Sequence, residues 1–420
     1  MSVDKETFVY VDFAGGTHLV GRLWSHTRRD RESATFEYSR SWLADKNRFS
    51  LEPALHLSPG PHHTAADRAM FGAIGDSAPD RWGRVLMRRA EWRRAERIKE
   101  TPRTLREIDY LLMVDDETRQ GALRFARQEG GPFLADDAEK KIPPLIELPK
   151  LLRAADRVSD NTDTEDDLRL LLAPGSSLGG ARPKASVRDR DGQLAMAKFP
   201  NRNDDIDVMR WEAVALTLAA KAKIEVPSWR LENVARRPVL ILRRFDRSGA
   251  WRRPYLSAMS MIGARDNEQR SYMEFVDALR RHGATAKCDI RELWRRIVFN
   301  VLIANTDDHL RNHGFLYRGI DGWTLAPAFD LNPTPADLKP RILSTAINMD
   351  DSMGSIDLAY EVAAYFETGP AEAKKIVREV AKAVSNWRKF AVEFGVAKRE
   401  IDRMATAFEY PIQKGAARAV

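Results

Sequence analysis

The spacing of apolar and polar residues divides the chain into a β-rich beginning and a largely helical remainder. Residues 8–13 and 18–24 alternate in the manner of strands on either side of Gly15 and Gly16, which predicts a β-hairpin. Residues 34–38 continue the alternation as a third strand. From 66 to 125 the pattern is mostly helical, with a helix start near Asp80 and a short buried strand at 121–125.

Clustered Pro and Gly residues at 128–150 indicate a boundary between domains. Beyond it the predicted elements are, in order, a helix at 147–156, a short helix ending at 172, a turn-rich stretch at 173–184, strands at 185–187 and 194–199, a helix at 209–223, a buried strand at 238–247 and mostly helices from about 270. The sequence therefore predicts an N-terminal subdomain over 1–127, a linker over 128–150, and two further domains over 151–248 and 249–420.

An abrupt change from apolar to polar residues occurs near position 305. Residues 297–303 read as a buried helix, and polar side chains follow it at Asn305 to His313. Asp307 and Asn312 have the spacing that separates the base from the metal-binding Asn in a protein-kinase catalytic loop. A lone Asp330 follows where a second metal carboxylate would be required. Taken alone, the cluster fits equally well a polar helix end followed by a turn.

Composition restricts the class of protein and its partners. With 420 residues, 43% of them hydrophobic and 31% charged, the chain is expected to be globular with two or three domains. We expect a cytoplasmic protein with no membrane partner, because no apolar run is long enough to span a bilayer and no secretory signal is visible. The single Cys288 excludes an internal disulfide framework, which fits a reducing cytosol. The net charge of +7 favours anionic partners such as nucleotide, tRNA, DNA or an acidic protein.

A strongly basic helix is predicted to follow Asp80. Its basic residues are Arg84, Arg88, Arg89, Arg93, Arg94, Arg97 and Lys99. Such a charge run is usually a solvated face, and the alternative is a surface for a partner or nucleic acid.

Upstream of residue 300 the chain offers candidates for the other parts of a phosphoryl-transfer site. Gly179 and Gly180 would let a turn approach phosphate oxygens, although a plain strand-joining loop is the commoner use of such a cluster. Lys198 lies in an apolar strand, and Glu212 in the next helix is its candidate ion-pair partner. The alternative is a lysine at a sheet edge whose ammonium reaches solvent. The order of these elements is that of a protein kinase.

Together, these motifs resemble the HipA family of bacterial toxin serine/threonine kinases. The resemblance covers nearly the whole chain and is most specific at residues 177–184 and 306–312. It is also carried by residues 20–23, 36–43, 80–83, 121–125, 196–200, 244–247 and 329–333.

The resemblance implies a fold, two cofactors and a set of site residues. The fold is α+β, a two-lobed protein-kinase-like fold with an N-terminal β-rich subdomain and a mostly helical C-terminal lobe, and the cofactors are ATP and Mg²⁺. Asp307 would be the catalytic base, and Asn312 and Asp330 the metal ligands. The residues expected to bind ATP are Ser177, Gly179, Gly180, Lys184, Lys198, Glu212, Arg243, Phe245, Asp246 and His309. His309 could instead orient Asp307 or be structural.

The resemblance also implies partners and regulation. Autophosphorylation at Ser177, with Ser176 as the neighbouring alternative, would inactivate the kinase. A helix-turn-helix antitoxin that binds operator DNA would neutralise the toxin, and the protein substrate would be an aminoacyl-tRNA synthetase. Two other functions fit the same residues: a small-molecule kinase, and a co-repressor that acts with the DNA-binding antitoxin.

Three positions depart from the family pattern. Asp308 adds a carboxylate beside the expected base, where some members have a small residue, and it could perturb metal binding or the pKa of Asp307. Arg243 replaces an acidic residue that is common on the hinge strand. Arg311 keeps the charge of the usual Lys. None of these changes removes a required group.

Overall fold

The structure is a computed structural model that describes residues 3–135, 142–172, 180–319 and 321–409, with side chains described from residue 5 onward. Two compact units divide the chain. The first comprises Met1–Arg202 and Asn233–Leu256, and the second comprises Asn203–Glu232 and Ser257–Val420. Among the described helices, none has the length and apolar character needed to cross a membrane.

An antiparallel five-stranded sheet begins the first unit. Its strands are β1 (Val3–Phe13), β2 (Gly16–Arg28), β3 (Arg31–Tyr38), β4 (Pro61–His63) and β5 (Leu123–Ala126), in the order β4-β3-β2-β1-β5. The turn between β1 and β2 is formed by Ala14 and Gly15, both with positive φ, rather than by Gly15 and Gly16 as the sequence predicts. Two consecutive positive φ angles give the turn the twist that a two-residue hairpin requires.

The described part of the first unit also contains the helices α1 (Arg40–Ala44), α2 (Gly72–Gly75), α3 (Arg81–Ile98), α4 (Glu107–Met113), α5 (Leu148–Ser159) and α6 (Glu165–Leu172). The longest, α3, begins where the side chain of Asp80 accepts a hydrogen bond from the amide of Gly83 at 2.8 Å, a typical N-cap. It ends at Lys99, whose left-handed backbone (φ 57°) terminates the helix.

A second sheet lies in the order β6-β7-β9-β8. Its strands are β6 (Lys184–Arg188), β7 (Leu194–Lys198), β8 (Trp229–Val234), within which the division between the units falls, and β9 (Arg237–Arg243). Alternate residues of β6, β7 and β9 are apolar and buried in one core with α3, α5 and α6. Three short strands follow: β10 (Arg247–Ser248), β11 (Trp251–Arg252) and β12 (Tyr255–Ser257).

The second unit is mostly helical. Its helices are α7 (Val208–Lys221), α8 (Ala258–Met261), α9 (Tyr272–His282), α10 (Ala286–Leu302), α11 (Ile356–Val362), α12 (Pro370–Val384), α13 (Trp387–Glu393) and α14 (Lys398–Phe408). The buried α10 packs against α9, α11 and α12. Two antiparallel strands, β13 (Gly314–Tyr317) and β14 (Trp323–Leu325), interrupt the helices.

The α+β fold class predicted from the sequence is confirmed. The helices predicted from residue 270 onward are interrupted in part of that range, since β13 and β14 pair as antiparallel strands and the described chain from 326 to 355 contains no helix. Both strands are short and apolar, and a short apolar run does not distinguish strand from helix by its periodicity. The two compact units are defined by contacts, so the domain bounds drawn from the sequence stay a prediction.

Candidate active site

The end of α10 determines where the polar cluster begins. The backbone amide of Asn305 donates a hydrogen bond to the backbone carbonyl of Asn300 at 2.9 Å, and the backbone amide of Ala304 donates to the backbone carbonyl of Val301 at 3.3 Å. Together with the left-handed Ala304 (φ 50°), these bonds form a Schellman motif, which stops the helix and redirects the chain. The predicted buried helix is therefore followed by a fixed turn that presents residues 305–313.

Asp307 is the exposed carboxylate of this turn, with 56% of its side chain accessible. Its carboxylate forms a 3.5 Å ion pair with the exposed Lys339. The backbone oxygen of Asp307 accepts a hydrogen bond from Nδ2 of Asn312 at 2.9 Å. The two residues that the sequence paired by spacing are thus tied together, and the Asp307 carboxylate remains open to solvent.

Asp308 points the other way and is buried. Its Oδ2 atom accepts hydrogen bonds from the Tyr272 hydroxyl and from Nδ2 of Asn300 (2.6 Å), and lies 3.0 Å from Nε2 of His313. Burial and the adjacent Asp308 carboxylate raise the pKa of Tyr272 well above its ordinary value. The additional carboxylate beside Asp307 therefore anchors the turn to α9 and α10.

Asp330 lies in a second strained turn of the same unit. Its backbone is left-handed (φ 59°), a conformation that few non-glycine residues adopt. Nδ2 of Asn332 donates to Oδ1 of Asp330 at 3.0 Å and to its carbonyl oxygen at 3.2 Å. The half-buried carboxylate of Asp330 is thus held by a neighbouring amide.

Several buried polar atoms around these turns have no hydrogen-bond partner among the described residues. They are Thr306 Oγ1, His309 Nδ1, Asn312 Oδ1 and Asn332 Oδ1. Buried polar atoms are nearly always paired in proteins, so these four atoms are candidates to contact a bound ligand, ion or water. Asn312 also lines a small cavity with Asn300, Asp308 and Phe329, among others.

The first unit contains the predicted lysines. Lys184 and Lys198 are directly paired across β6 and β7, and both are buried. The ammonium of Lys184 forms an ion pair with Asp80 at 2.5 Å and donates to the carbonyl of Gly180 at 3.1 Å. Lys184 therefore joins the N-cap of α3 to the end of the glycine-rich stretch. Its predicted ATP contact stays a prediction.

The predicted hinge residues have internal partners in this unit. Asp246 is completely buried and accepts hydrogen bonds from Arg244, Arg247 and the amide of Gly121. Burial alone would raise the pKa of the Asp246 carboxyl group, but the guanidinium groups of Arg244 and Arg247 hold this pKa well below its usual range. Arg243 pairs with the half-exposed Asp191 at 2.8 Å.

The ATP contacts predicted for five further residues stay predictions. Phe245 packs against Tyr255 in the same unit. Glu212 is buried in α7 of the second unit, so its ion pair with Lys198 of the first unit stays a prediction. Ser177 and Gly179 lie outside the described residues, while Gly180 has the positive φ (77°) that favours glycine.

The basic face of α3 is largely neutralised within its own unit. Arg84 pairs with Glu107, Arg89 with Asp163, and Arg94 with Glu91. Arg93 and Arg97 pair with further acidic residues. The face is therefore neither simply solvated nor a free cationic surface, because the expected charge is matched by carboxylates that lie nearby in the fold.

We call the turn at residues 305–313 the catalytic turn after its predicted role. Together with the α+β fold, it indicates a protein-kinase-like chain. Residues 176–387 match the family model described as the HipA-like C-terminal domain, and residues 13–125 match the HipA N-terminal domain. The chain belongs to the HipA family, which confirms the resemblance inferred from the sequence. Membership places it among HipA-like kinases, and kinase relatives imply the use of ATP.

Individual relatives agree with this family. A protein of Sinorhizobium fredii named "Putative kinase Y4mE" is 24% identical over 355 residues, 77% of this chain and 78% of the relative. A protein of Haemophilus influenzae with a similar name is 36% identical over 87 residues, 20% of this chain and 25% of the relative. A chain from the Shewanella oneidensis toxin–antitoxin complex of HipA, HipB and operator DNA has a TM-score of 0.68 at 14% identity, covering 98% of this chain and 97% of its own length. This last match shows the fold.

The sequence did not reveal several residues that the fold brings to the catalytic turn. Asn300 and Asn305 are buried, Asn332 holds Asp330, and Lys339 contacts Asp307. A buried asparagine inside the apolar run of α10 was the available signal, since an amide among apolar residues requires a partner. Within the described ranges, no group of three or more His, Cys, Asp or Glu side chains is placed to hold a metal ion.

Proposed function

We propose that this chain is an ATP- and Mg²⁺-dependent serine/threonine protein kinase that acts as a growth-arresting toxin. The observation that carries the proposal is the catalytic turn. There Asp307 has an open carboxylate, and the Asn312 amide is fixed to it by Nδ2 while its buried Oδ1 has no partner among the described residues. Protein kinases use a base aspartate and a metal-binding asparagine at this spacing, so the open carboxylate and the buried Oδ1 atom support the proposal.

The residues fit a magnesium ion. Mg²⁺ prefers hard oxygen ligands and keeps several waters, so one amide oxygen and one carboxylate are sufficient protein ligands. Asn312 Oδ1 is an unused buried oxygen, and Asp330 supplies the carboxylate. We propose that these two residues hold the ion, which would neutralise charge on the ATP phosphates.

Asp307 is proposed to accept the proton of the serine or threonine hydroxyl. Its ion pair with Lys339 is long and exposed, and exposed pairs of this kind contribute about 0–1 kcal/mol. The pair therefore leaves the carboxylate available to an incoming hydroxyl. Lys198 is proposed to neutralise the phosphates of ATP, with Glu212 as the residue that orients it.

Regulation and partners follow from family membership. We propose that Ser177 is autophosphorylated, because a phosphate there would add about −2 charge to a loop expected to bind ATP phosphates. By analogy with the HipA–HipB–operator complex of Shewanella oneidensis, we propose a HipB-like antitoxin and, through it, operator DNA as partners. The proposed protein substrate is an aminoacyl-tRNA synthetase.

The test is transfer of the labelled γ-phosphate of ATP to purified synthetases and to the chain itself. Asp307→Asn is expected to lower transfer at least about 100-fold, the usual contribution of a general base. Asp350→Asn is the matched control, because Asp350 is an exposed aspartate of the same unit outside the catalytic turn. Equal labelling of wild type and Asp307→Asn would contradict the proposal.

Two further readouts separate the alternatives. Phosphopeptide mapping should find phosphate on serine or threonine, including Ser177 rather than Ser176. Growth arrest that depends on Asp307 without any labelled protein would instead indicate a small-molecule kinase.

A further inference from the structure

A continuous series of amide hydrogen bonds joins the two turns of the second unit. Nδ2 of Asn300 donates to Asp308, and Nδ2 of Asn305 donates to Oδ1 of Asn300 at 3.1 Å. The backbone amide of Asn332 donates to Oδ1 of Asn305 at 3.3 Å. Asn332 then donates to Asp330 through Nδ2. The series thus runs from the residue beside the proposed base to a proposed metal ligand.

The strained backbone of Asp330 explains why such support is needed. A left-handed aspartate costs free energy, and such a conformation persists only where the surroundings determine it. Asn332 supplies two of these contacts, one to the carboxylate and one to the carbonyl of the same residue. These two hydrogen bonds from Asn332 therefore help to fix both the strained turn and the direction of the Asp330 carboxylate.

A local turn alone does not account for the whole series. The bond from Asn332 to the carbonyl of Asp330 is the kind that an asparagine makes in many turns. The link to Asn305 is different, because Asn305 is 27 positions earlier in the chain and completely buried. Burying the side-chain amides of Asn300 and Asn305 would be costly without hydrogen bonds, and the bonds of this series supply them.

We propose that Asn332 is a positioning residue that orients the Asp330 carboxylate toward the metal ion, and that Asn300 and Asn305 transmit this placement from Asp308. The inference rests on the proposed function for the identity of the ligands. It adds that the proposed base and the distal metal ligand are aligned by one buried network. Residues that hydrogen-bond a metal ligand typically change metal affinity by about 10–100-fold when replaced.

The test measures binding of Mn²⁺, a paramagnetic ion that accepts the same oxygen ligands as Mg²⁺. Electron paramagnetic resonance would follow free Mn²⁺ during titration of the full chain with a non-hydrolysable ATP analogue present. Asn332→Ala and Asn305→Ala are each expected to weaken Mn²⁺ binding by about tenfold. Affinity for the analogue without metal should stay within about twofold. Asn386→Ala is the matched control, because the side chain of this exposed asparagine of the same unit donates to the nearby backbone carbonyls of Lys382 and Ala383.

Each outcome distinguishes the inference from the proposed function. If wild type binds Mn²⁺ and both variants bind it equally well, the positioning role is wrong while the kinase proposal stands. If Asn332→Ala weakens binding and Asn305→Ala does not, Asn332 acts by itself and the network is refuted. If wild type binds no Mn²⁺ with the analogue, both proposals fail. Near-ultraviolet circular dichroism verifies folding, and Asn305→Ala carries the test alone should Asn332→Ala not fold.

Discussion

Replacing Asp308 with alanine should damage stability far more than replacing its neighbour Asp307. In the folded chain Asp308 accepts hydrogen bonds from the Tyr272 hydroxyl and from Asn300, and contacts His313. Alanine would leave these three buried groups without their acceptor. Each buried donor left unpaired costs about 1–3 kcal/mol, so the loss is on the order of 3–6 kcal/mol if water relieves part of it.

The corresponding loss for Asp307→Ala is small. Its carboxylate is more than half exposed, and its long contact with the exposed Lys339 contributes about 0–1 kcal/mol. The two variants remove the same chemical group from adjacent positions, and only their burial and hydrogen bonds differ. Asp307→Ala should therefore abolish phosphate transfer in a chain of nearly normal stability.

Thermal unfolding followed by circular dichroism provides the comparison. For a unit of this size, 1 kcal/mol shifts the melting temperature by about 2–4 °C, so Asp308→Ala should melt at least about 6 °C below wild type. Because the chain has two compact units, the comparison uses the unfolding transition that the substitution shifts. Asp308→Asn keeps one acceptor oxygen and should fall between. Melting of Asp308→Ala within about 2 °C of Asp307→Ala would refute the assignment of Asp308 as a buried anchor.

Three further predictions concern the first unit. Lys184→Met removes the ammonium partner of the buried Asp80 carboxylate and should lower stability by about 3–5 kcal/mol in thermal melting, whereas weaker nucleotide binding at an unchanged melting temperature would contradict this structural role. Burial raises the pKa of Glu52 from 4.5 to about 7, so the protonated side chain contributes about 3 kcal/mol of stability below pH 4.5, and this contribution is lost as pH rises through 7. Glu52→Gln should abolish that loss in thermal melts from pH 4 to 8. An unchanged dependence of stability on pH in this variant would refute the prediction. Arg89→Ala removes the partner of the buried Asp163 and should lower the melting temperature; a weaker gel shift with DNA at an unchanged melting temperature would instead indicate a nucleic-acid surface on α3.

The position of the turn at residues 305–313 could be predicted because its signal is local, while its catalytic role stays a prediction. Asp307 and Asn312 lie in one short segment after an apolar helix, and the hydrogen bond between them spans only five positions. The α+β class was readable for the same reason, since alternation and helical periodicity are properties of single elements.

The role of Asp308 was not readable, because its partners are fixed by packing. Tyr272 lies on α9 and Asn300 on α10, and their approach to Asp308 depends on how these helices pack. The sequence therefore suggested a perturbing charge beside the base, whereas the fold makes that charge an internal acceptor.

Ion pairs between residues far apart in the sequence also determine the surroundings of Lys184 and of the arginines of α3. Lys184 meets Asp80, which lies 104 positions earlier, and the arginines of α3 meet carboxylates up to 74 positions away. A linear sequence displays the charges without their partners, so a neutralised face and a free one look alike before folding.

The most direct test of the account is the initial rate of γ-phosphate transfer by Asp307→Asn relative to Asp350→Asn, measured on chains with equal melting temperatures. A base in the catalytic turn predicts at least about a 100-fold lower rate for Asp307→Asn, with Asp350→Asn equal to wild type. Equal rates for the two variants would contradict the claim that this turn performs phosphoryl transfer.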